Sequence, residues 1–154
     1  MSTTQLGARG LEGGTEAVSP GVQGTETWPQ EELYLSLYYT EDWVAVVKIF
    51  HAQIGLTQAE IARGAGVSQA TVARWLESEP NAPVRAYGRL DDLRYVVLWL
   101  LRCRMGERLI AFWLAARNVD LGGSDPLQAI ADGRFEEVMS IASAFAEGRP
   151  PSLL

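Results

Sequence analysis

The stretch LTQAEIARGAGVSQATVARW, residues 56–75, constrains the fold of this chain more than any other part of the sequence. Thr57 and Glu60 have the spacing of a capping box, and Ser68 is a favourable N-cap for a second helix. Gly66, between them, tolerates the positive φ of a tight turn. The stretch therefore predicts a helix-turn-helix, two short helices held at a fixed angle. Its small and apolar anchors are Ile61, Ala62, Ala65, Val67, Val72 and Trp75.

This pattern resembles the helix-turn-helix of the phage-repressor-like (Cro/Xre) class. The resemblance implies that the second helix lies in the major groove of DNA and meets base edges with its N-terminal residues. Gln69 suits bidentate pairing with adenine, and Arg74 suits guanine or a phosphate. The resemblance also implies that Gln58, at the start of the first helix, reaches a backbone phosphate. The predicted DNA-binding residues are Gln58, Ser68, Gln69, Ala70, Thr71, Ala73 and Arg74.

The distribution of charge bears on this prediction, because the chain of 154 residues has a net charge of −6. Residues 1–47 hold seven of the 19 acids and one of the 13 bases, so residues 48–154 hold twelve of each. The acidic surplus therefore belongs to the first third of the chain and does not exclude DNA binding by the rest. A structural helical hairpin that never meets DNA is the alternative, favoured by Glu77 and Glu79 near the end of the second helix.

The rest of the pattern predicts an all-α chain with four segments. Residues 1–28 are rich in Gly, Thr, Ser and Glu and are expected to form a disordered acidic tail. Residues 29–83 are expected to form the helix-turn-helix domain, which ends at the break PNAP. Residues 84–148 predict a small helical domain, and residues 149–154 a C-terminal tail.

Several individual elements are predicted within these segments. EELYLSLYY is compatible with a short helix or a strand, whereas Thr40 is expected to cap a clearer helix, EDWVAVVKIFHAQ. RLDDLRYVVLWLLRCRM predicts a long helix interrupted at Gly106. Asp125 and Gln128 predict a capping box for a later short helix. Phe112 and Trp113 are expected to be core residues.

The sequence offers little for catalysis, membranes or secretion. His51 lies on an apolar helix, Cys103 has no histidine partner in view, and LGGSDP lacks the lysine of a phosphate loop. No ligand set has metal spacing, so neither a metal nor a cofactor is expected. We find no apolar run of membrane-spanning length and no secretory signal, and the single cysteine fits a cytoplasmic protein. The sequence therefore predicts that this protein is not an enzyme.

Residues 84–146 resemble the C-terminal domain of the Xre/MbcA/ParS antitoxin family. The resemblance rests on Trp113-Leu114, Asn118, Leu121-Gly122-Gly123, Pro126-Leu127, Gly133 and Val138. One departure is Arg117, where the family usually has proline before the asparagine. The family resemblance implies a two-part antitoxin. Its N-terminal half would bind operator DNA, and its C-terminal half would dimerise and cover the active site of a RES-type toxin that consumes NAD.

The resemblance also directs attention to candidate toxin-binding residues. Asn118 is expected near a helix C-terminus, where asparagine tolerates a left-handed conformation, and Gly122-Gly123 is expected to allow a sharp reversal. Our hypothesis is that Arg134 or the tail enters the toxin's cleft. The predicted toxin-binding residues are Asn118, Leu121, Gly122, Gly123, Arg134, Arg149, Leu153 and Leu154.

Two other interpretations stay open at the level of sequence. One is a stand-alone Xre-type transcriptional regulator whose C-terminal helices dimerise or bind another signal. The other is an adaptor that neutralises a toxin without binding DNA. A homodimer is expected wherever DNA is read, because one recognition helix covers too few base pairs to be specific.

Overall fold

The computed structural model describes residues 28–77 and 84–148, and all regular structure in these two ranges is helical. The predicted all-α class is therefore confirmed. The chain divides into two units, residues 1–31 and residues 32–154. Of the first unit, residues 28–31 are described and form a turn in which the Glu31 N–H donates to the Trp28 carbonyl at 3.0 Å.

Two helices precede the helix-turn-helix stretch. Helix α1 spans Glu31–Tyr39, so EELYLSLYY is helical and not a strand. Helix α2 spans Trp43–Ile49 and continues into a π-helical turn at Phe50–Ile54, closed by Gly55 with φ 94°. The predicted cap at Thr40 is wrong. Asp42 is the N-cap, because its carboxylate accepts the Val44 N–H at 3.0 Å and thereby satisfies a free donor of the first turn.

The helix-turn-helix stretch folds into α3 (Gln58–Ala65) and α4 (Gln69–Leu76). Residues 78–83 lie outside the described residues, including the predicted boundary at Pro80–Pro83. Helix α5 (Val84–Arg102) is the long helix that the sequence predicts. After it come α6 (Glu107–Ala115), a 3-10 turn at Val119–Leu121, α7 (Pro126–Ala131) and α8 (Phe135–Ala146).

The end of α5 differs in one detail from the sequence prediction. Arg104 takes the left-handed conformation with φ 67°, and the Met105 N–H donates to the Leu100 carbonyl at 3.1 Å. This bond closes the helix at a non-glycine residue, which is uncommon at positive φ. Gly106, expected to interrupt the helix, is extended and serves as the N-cap of α6.

The core is built around α3 and α5. Helix α3 contacts α4, α5 and α7, and α5 also packs against α2, α6 and α8. Gly64 lies where α3 and α7 meet, and a β-carbon there would stand 3.1 Å from Leu127 Cδ2. The largest fully buried side chains are Trp75, Phe50, Leu37, Ile54, Leu56, Ile61, Leu93, Leu100, Leu101, Ile110, Leu114 and Leu121.

The division into domains 29–83 and 84–148 stays a prediction. The helices on both sides of residue 83 nevertheless share contacts, since α3 packs against α7 and α2 packs against α5. Two aromatic contacts make this concrete. The ring centroid of Trp43 lies 4.9 Å from that of Trp75 and 5.2 Å from that of Tyr87, so α2 touches both α4 and α5.

The close approach at Gly64 generates a stability prediction. Gly64→Leu is expected to destabilise the fold by roughly 1–3 kcal/mol, because the new side chain has no room against Leu127. Gly88→Leu is the matched control. Gly88 is an exposed glycine within α5, and a β-carbon there meets nothing within 4 Å, so this change is expected to be neutral or slightly stabilising. Urea unfolding followed by circular dichroism measures both; equal stability of the two variants contradicts the packing argument.

Candidate functional site

The two helices of the helix-turn-helix are capped as the sequence predicts. The Glu60 N–H donates to Thr57 Oγ1 at 3.0 Å, and the Thr57 N–H donates to Glu60 Oε1 at 2.9 Å, which completes the capping box. Gly66 has φ 71°, and the Val67 N–H donates to the Ala62 carbonyl at 3.0 Å. These bonds end α3 in one turn and fix the direction in which the chain enters α4.

Helix α4 has a buried face and an open face. Val72 and Trp75 are 0% and 1% exposed, and they hold the helix against the core. Gln69, Ala70 and Arg74 are exposed. The predicted inward positions Val72 and Trp75 are confirmed, and three of the predicted DNA-binding residues are open to solvent on the opposite side.

Three of the predicted DNA-binding side chains are joined by hydrogen bonds on this surface. Ser68 Oγ accepts the Thr71 N–H at 3.1 Å and lies 2.9 Å from Thr71 Oγ1. Arg74 Nη2 donates to Thr71 Oγ1 at 3.4 Å. Ser68 therefore caps the helix, and Thr71 restrains the Arg74 guanidinium. Gln58 and Ala73 are half-buried beside them.

A second candidate surface is the loop between α6 and α7. Asn118 Oδ1 accepts the Asp120 N–H at 2.9 Å, and the Asn118 carbonyl accepts the Gly123 N–H at 3.0 Å. Asn118 follows the end of α6 but is extended with φ −128°, so it does not take the left-handed conformation that asparagine tolerates there. The physical reason is that an N-cap is extended, and here Asn118 caps the 3-10 turn. Gly122 and Gly123 take the left-handed conformation instead, with φ 69° and 91°.

Arg134 lies against this loop. Its Nη1 donates to the Leu121 carbonyl at 3.3 Å, while its Nη2 and Nε donate to the Glu137 carboxylate at 2.9 and 3.1 Å. The hydrogen bond from Arg134 lowers the pKa of Glu137. Leu121 is 1% exposed, so its side chain is buried and it meets Arg134 through its backbone carbonyl.

The structure therefore brings together five of the predicted toxin-binding residues. They are Asn118, Leu121, Gly122, Gly123 and Arg134. Arg149, Leu153 and Leu154, with the rest of the C-terminal tail, lie outside the described residues, as does nearly all of the predicted N-terminal tail.

One connection between the two candidate surfaces was not predicted. Arg63 of α3 forms an ion pair with Asp125, with Nε 3.3 Å from Oδ2, and both side chains are substantially buried. Asp125 also accepts the Gln128 N–H at 2.8 Å as the N-cap of α7. Gln128 does not complete the expected capping box, because its side-chain amide donates to Asp132 at 3.1 Å. In the sequence, Gly64 within α3 is the signal that another helix approaches closely at this point. The glycine does not show which helix that is.

The neighbouring aromatic residues of α6 have opposite environments. Trp113 is 7% exposed and stacks on Phe145 with a centroid distance of 5.8 Å, as expected of a core residue. Phe112 is 70% exposed, so its predicted place in the core is wrong. The two positions are adjacent in sequence and point about 100° apart on a helix, and the core lies on one side only.

Reactive side chains and potential metal ligands are few elsewhere in the described ranges. Burial raises the pKa of the Cys103 thiol, which disfavours the nucleophilic thiolate. Within residues 28–77 and 84–148 there is no group of three or more potential metal ligands. In the same part of the chain, no helix has the length and apolarity needed to cross a membrane.

Comparison with known proteins gives two clear similarities. No family model matches the sequence. The chain is 37% identical over 94 residues to a protein named as a probable mycobacterial cidal antitoxin from Mycobacterium tuberculosis, a match that covers 61% of this chain and 79% of the relative. It also resembles a chain in the crystal structure of the M. tuberculosis MbcT–MbcA toxin–antitoxin complex. That match has a TM-score of 0.56 and 25% identity and covers 71% of this chain and 97% of the other.

These similarities place the protein among the antitoxins of toxin–antitoxin systems. More particularly, the chain belongs to the MbcA-type antitoxin family.

The contact between Arg134 and Glu137 generates a prediction on pH. In the folded protein the Glu137 carboxyl is expected to titrate below its ordinary pKa. Because a lowered folded pKa favours the ionised form, this contact stabilises the fold above the ordinary glutamate pKa of about 4.3. The contribution is lost as the pH falls through the lowered value.

An NMR titration of the Glu137 carboxyl carbon measures this pKa directly. In Arg134→Gln the pKa is expected to rise toward the ordinary glutamate value, whereas Arg85→Gln, which changes an exposed arginine elsewhere, should leave it unchanged. A Glu137 pKa that is the same in the wild type and in Arg134→Gln shows that the ion pair does not form in solution.

Proposed function

We propose that this protein is an antitoxin that neutralises a RES-type, NAD-consuming toxin and represses its own operon through α4. The observation that carries the proposal is the similarity to an M. tuberculosis antitoxin over most of that protein's length, together with the similarity to a chain of a toxin–antitoxin complex. A stand-alone regulator is the weaker alternative, because both relatives are named for toxin–antitoxin systems. The protein itself has a binding role and no catalytic one.

The DNA-binding part of the proposal rests on the open face of α4. Gln69 and Arg74 are exposed at a helix whose opposite face is fixed by Trp75. An amide and a guanidinium are the groups that recognise adenine and guanine in the major groove. Residues 48–154 carry no net charge, so this part of the chain as a whole does not repel DNA, and its local arginines can attract the phosphates. Because an eight-residue helix reads few base pairs, the reading unit is proposed to be a homodimer on paired half-sites.

The toxin-binding part rests on the loop after α6. Asn118 holds the loop by hydrogen bonds to Asp120 and Gly123, and two exposed glycines leave its backbone open to a partner. Arg134 stands beside the loop, where its guanidinium donates to the Leu121 carbonyl, and it is proposed to enter the toxin's cleft. The antitoxin is proposed to cover that pocket, with the C-terminal tail contributing Arg149, Leu153 and Leu154.

A gel-shift experiment with the DNA upstream of the gene tests the DNA-binding part. The double variant Gln69→Ala, Arg74→Ala is expected to weaken specific binding by at least about tenfold, since each bidentate base contact contributes roughly 1–3 kcal/mol of discrimination. Arg108→Ala, an exposed arginine on α6, is the matched control and should bind normally. A specific shift that survives the double substitution rules out direct reading by these two residues.

Co-expression with the neighbouring toxin gene tests the toxin-binding part. Wild-type protein is expected to restore growth, and Arg134→Ala and deletion of residues 149–154 are each expected to weaken the rescue. Arg85→Ala is the control, and thermal unfolding of every variant separates loss of binding from loss of folding. Complete rescue by the truncated chain excludes the tail from the mechanism. Absence of any toxic neighbour supports the regulator instead.

A further inference from the structure

The start of α2 and the first half of α5 enclose a cavity that the proposed function does not use. Its volume is about 490 Å³, which lies within the range of roughly 300–1,000 Å³ found for small-molecule sites. Both helices belong to the unit of residues 32–154. The lining of the cavity includes Glu41, Trp43, Tyr87, Gly88, Asp91 and Arg94.

Two aromatic rings meet at this cavity. The ring centroids of Trp43 and Tyr87 lie 5.2 Å apart, with an angle of 64° between the ring planes. Both side chains are half-buried, so each ring keeps surface that a ligand can contact. The faces of aromatic rings attract cations through the ring quadrupole, and flat cations also stack on them. The aromatic part of the lining therefore suits a flat, positively charged group.

The charged residues of the lining also favour a cation. Glu41 and Asp91 are acidic and Arg94 is basic. Arg94 is already engaged, since its Nη2 lies 2.7 Å from Asp91 Oδ1 and its Nη1 donates to the Thr40 carbonyl at 2.8 Å. Glu41 is exposed and forms no ion pair within residues 28–77 and 84–148. The pairing of Asp91 with Arg94 thus leaves the Glu41 carboxylate as the uncompensated charge of the cavity.

Gly88 leaves a gap in the wall that α5 contributes to the cavity. A β-carbon at Gly88 would meet nothing within 4 Å, whereas one at Gly64 of α3 would lie 3.1 Å from Leu127. Glycine inside a helix is unfavourable, because it loses more conformational freedom on folding than any other residue. No described residue uses the space that Gly88 provides. A glycine at such a position allows a ligand to approach the helix backbone closely.

We propose that this cavity binds a small organic cation whose head is a planar guanidinium or amidinium group. The head forms a forked pair of hydrogen bonds with the Glu41 carboxylate. Its flat face stacks against Trp43 and Tyr87, and the body of the ligand lies over Gly88, where no side chain obstructs it. The cavity shares no residue with the α4 face or the Asn118 loop, so this site goes beyond the proposed function.

Benzamidine, which carries an amidinium on an aromatic ring, is the probe for the first test. NMR of the full chain follows the Trp43 indole N–H and the Gly88 amide during the titration. Both signals are expected to shift with a dissociation constant of about 1 mM or lower. Benzyl alcohol and benzoate keep the ring but are neutral and negatively charged. They are expected to bind at least about tenfold more weakly, because neither can pair with Glu41.

Single substitutions assign the binding to this cavity. Gly88→Leu places a side chain in the open space and is expected to weaken benzamidine binding at least about tenfold. Glu41→Gln removes the free carboxylate and is expected to weaken it at least about threefold. Glu32→Gln is the matched control, because it removes the same charge from an exposed position on α1 and should leave binding unchanged. Circular dichroism confirms that each variant is folded.

Any of four results overturns the proposal. They are the absence of a benzamidine-dependent shift at Trp43 up to about 10 mM, equally tight binding of benzyl alcohol or benzoate, full binding by Gly88→Leu, and full binding by Glu41→Gln. Each result leaves the proposed antitoxin function standing, because the gel-shift and rescue experiments change other residues.

Discussion

The contact between α3 and α7 is the constraint on which the rest of the structure depends. Gly64 has no side chain, so the backbone of α3 can approach Leu127 closely, and the adjacent Arg63 reaches Asp125, two residues before Leu127. The contact joins the helix-turn-helix to the C-terminal helices in one core. It combines close apolar packing with a partly buried ion pair.

Both candidate surfaces take their geometry from this contact. On one side α3 supports α4, whose buried Trp75 leaves the opposite face of that helix open. On the other side Asp125 caps α7 and ends the loop that Asn118 and Arg134 hold in place. The exposed face of α4 and the loop around Asn118, which are the surfaces proposed to bind DNA and toxin, are thus held by neighbouring residues of a single packed unit.

Local chemistry explains which parts of the sequence prediction were correct. The capping box of α3, the Ser68 cap and the glycine turn depend on residues within four positions of one another, and all are present. The inward positions Val72 and Trp75 of α4 followed from helical periodicity. Two differences from the prediction arose where two local solutions compete. Thr40 and Asp42 are both good caps, and Asn118 suits either a left-handed residue or an extended cap.

The sequence by itself determined the helical class, the caps of α3 and α4 and the buried positions of α4, because each depends on short-range hydrogen bonds and periodic burial. Only the tertiary structure decided that Phe112 is exposed while Trp113 is buried, that Arg63 pairs with Asp125, and that Arg134 meets the Asn118 loop. It also decided that α1 lies beside α5 with an aromatic groove between them. Those facts depend on which helix faces meet across 13 to 68 residues of chain, and periodicity along a single helix does not specify its partner.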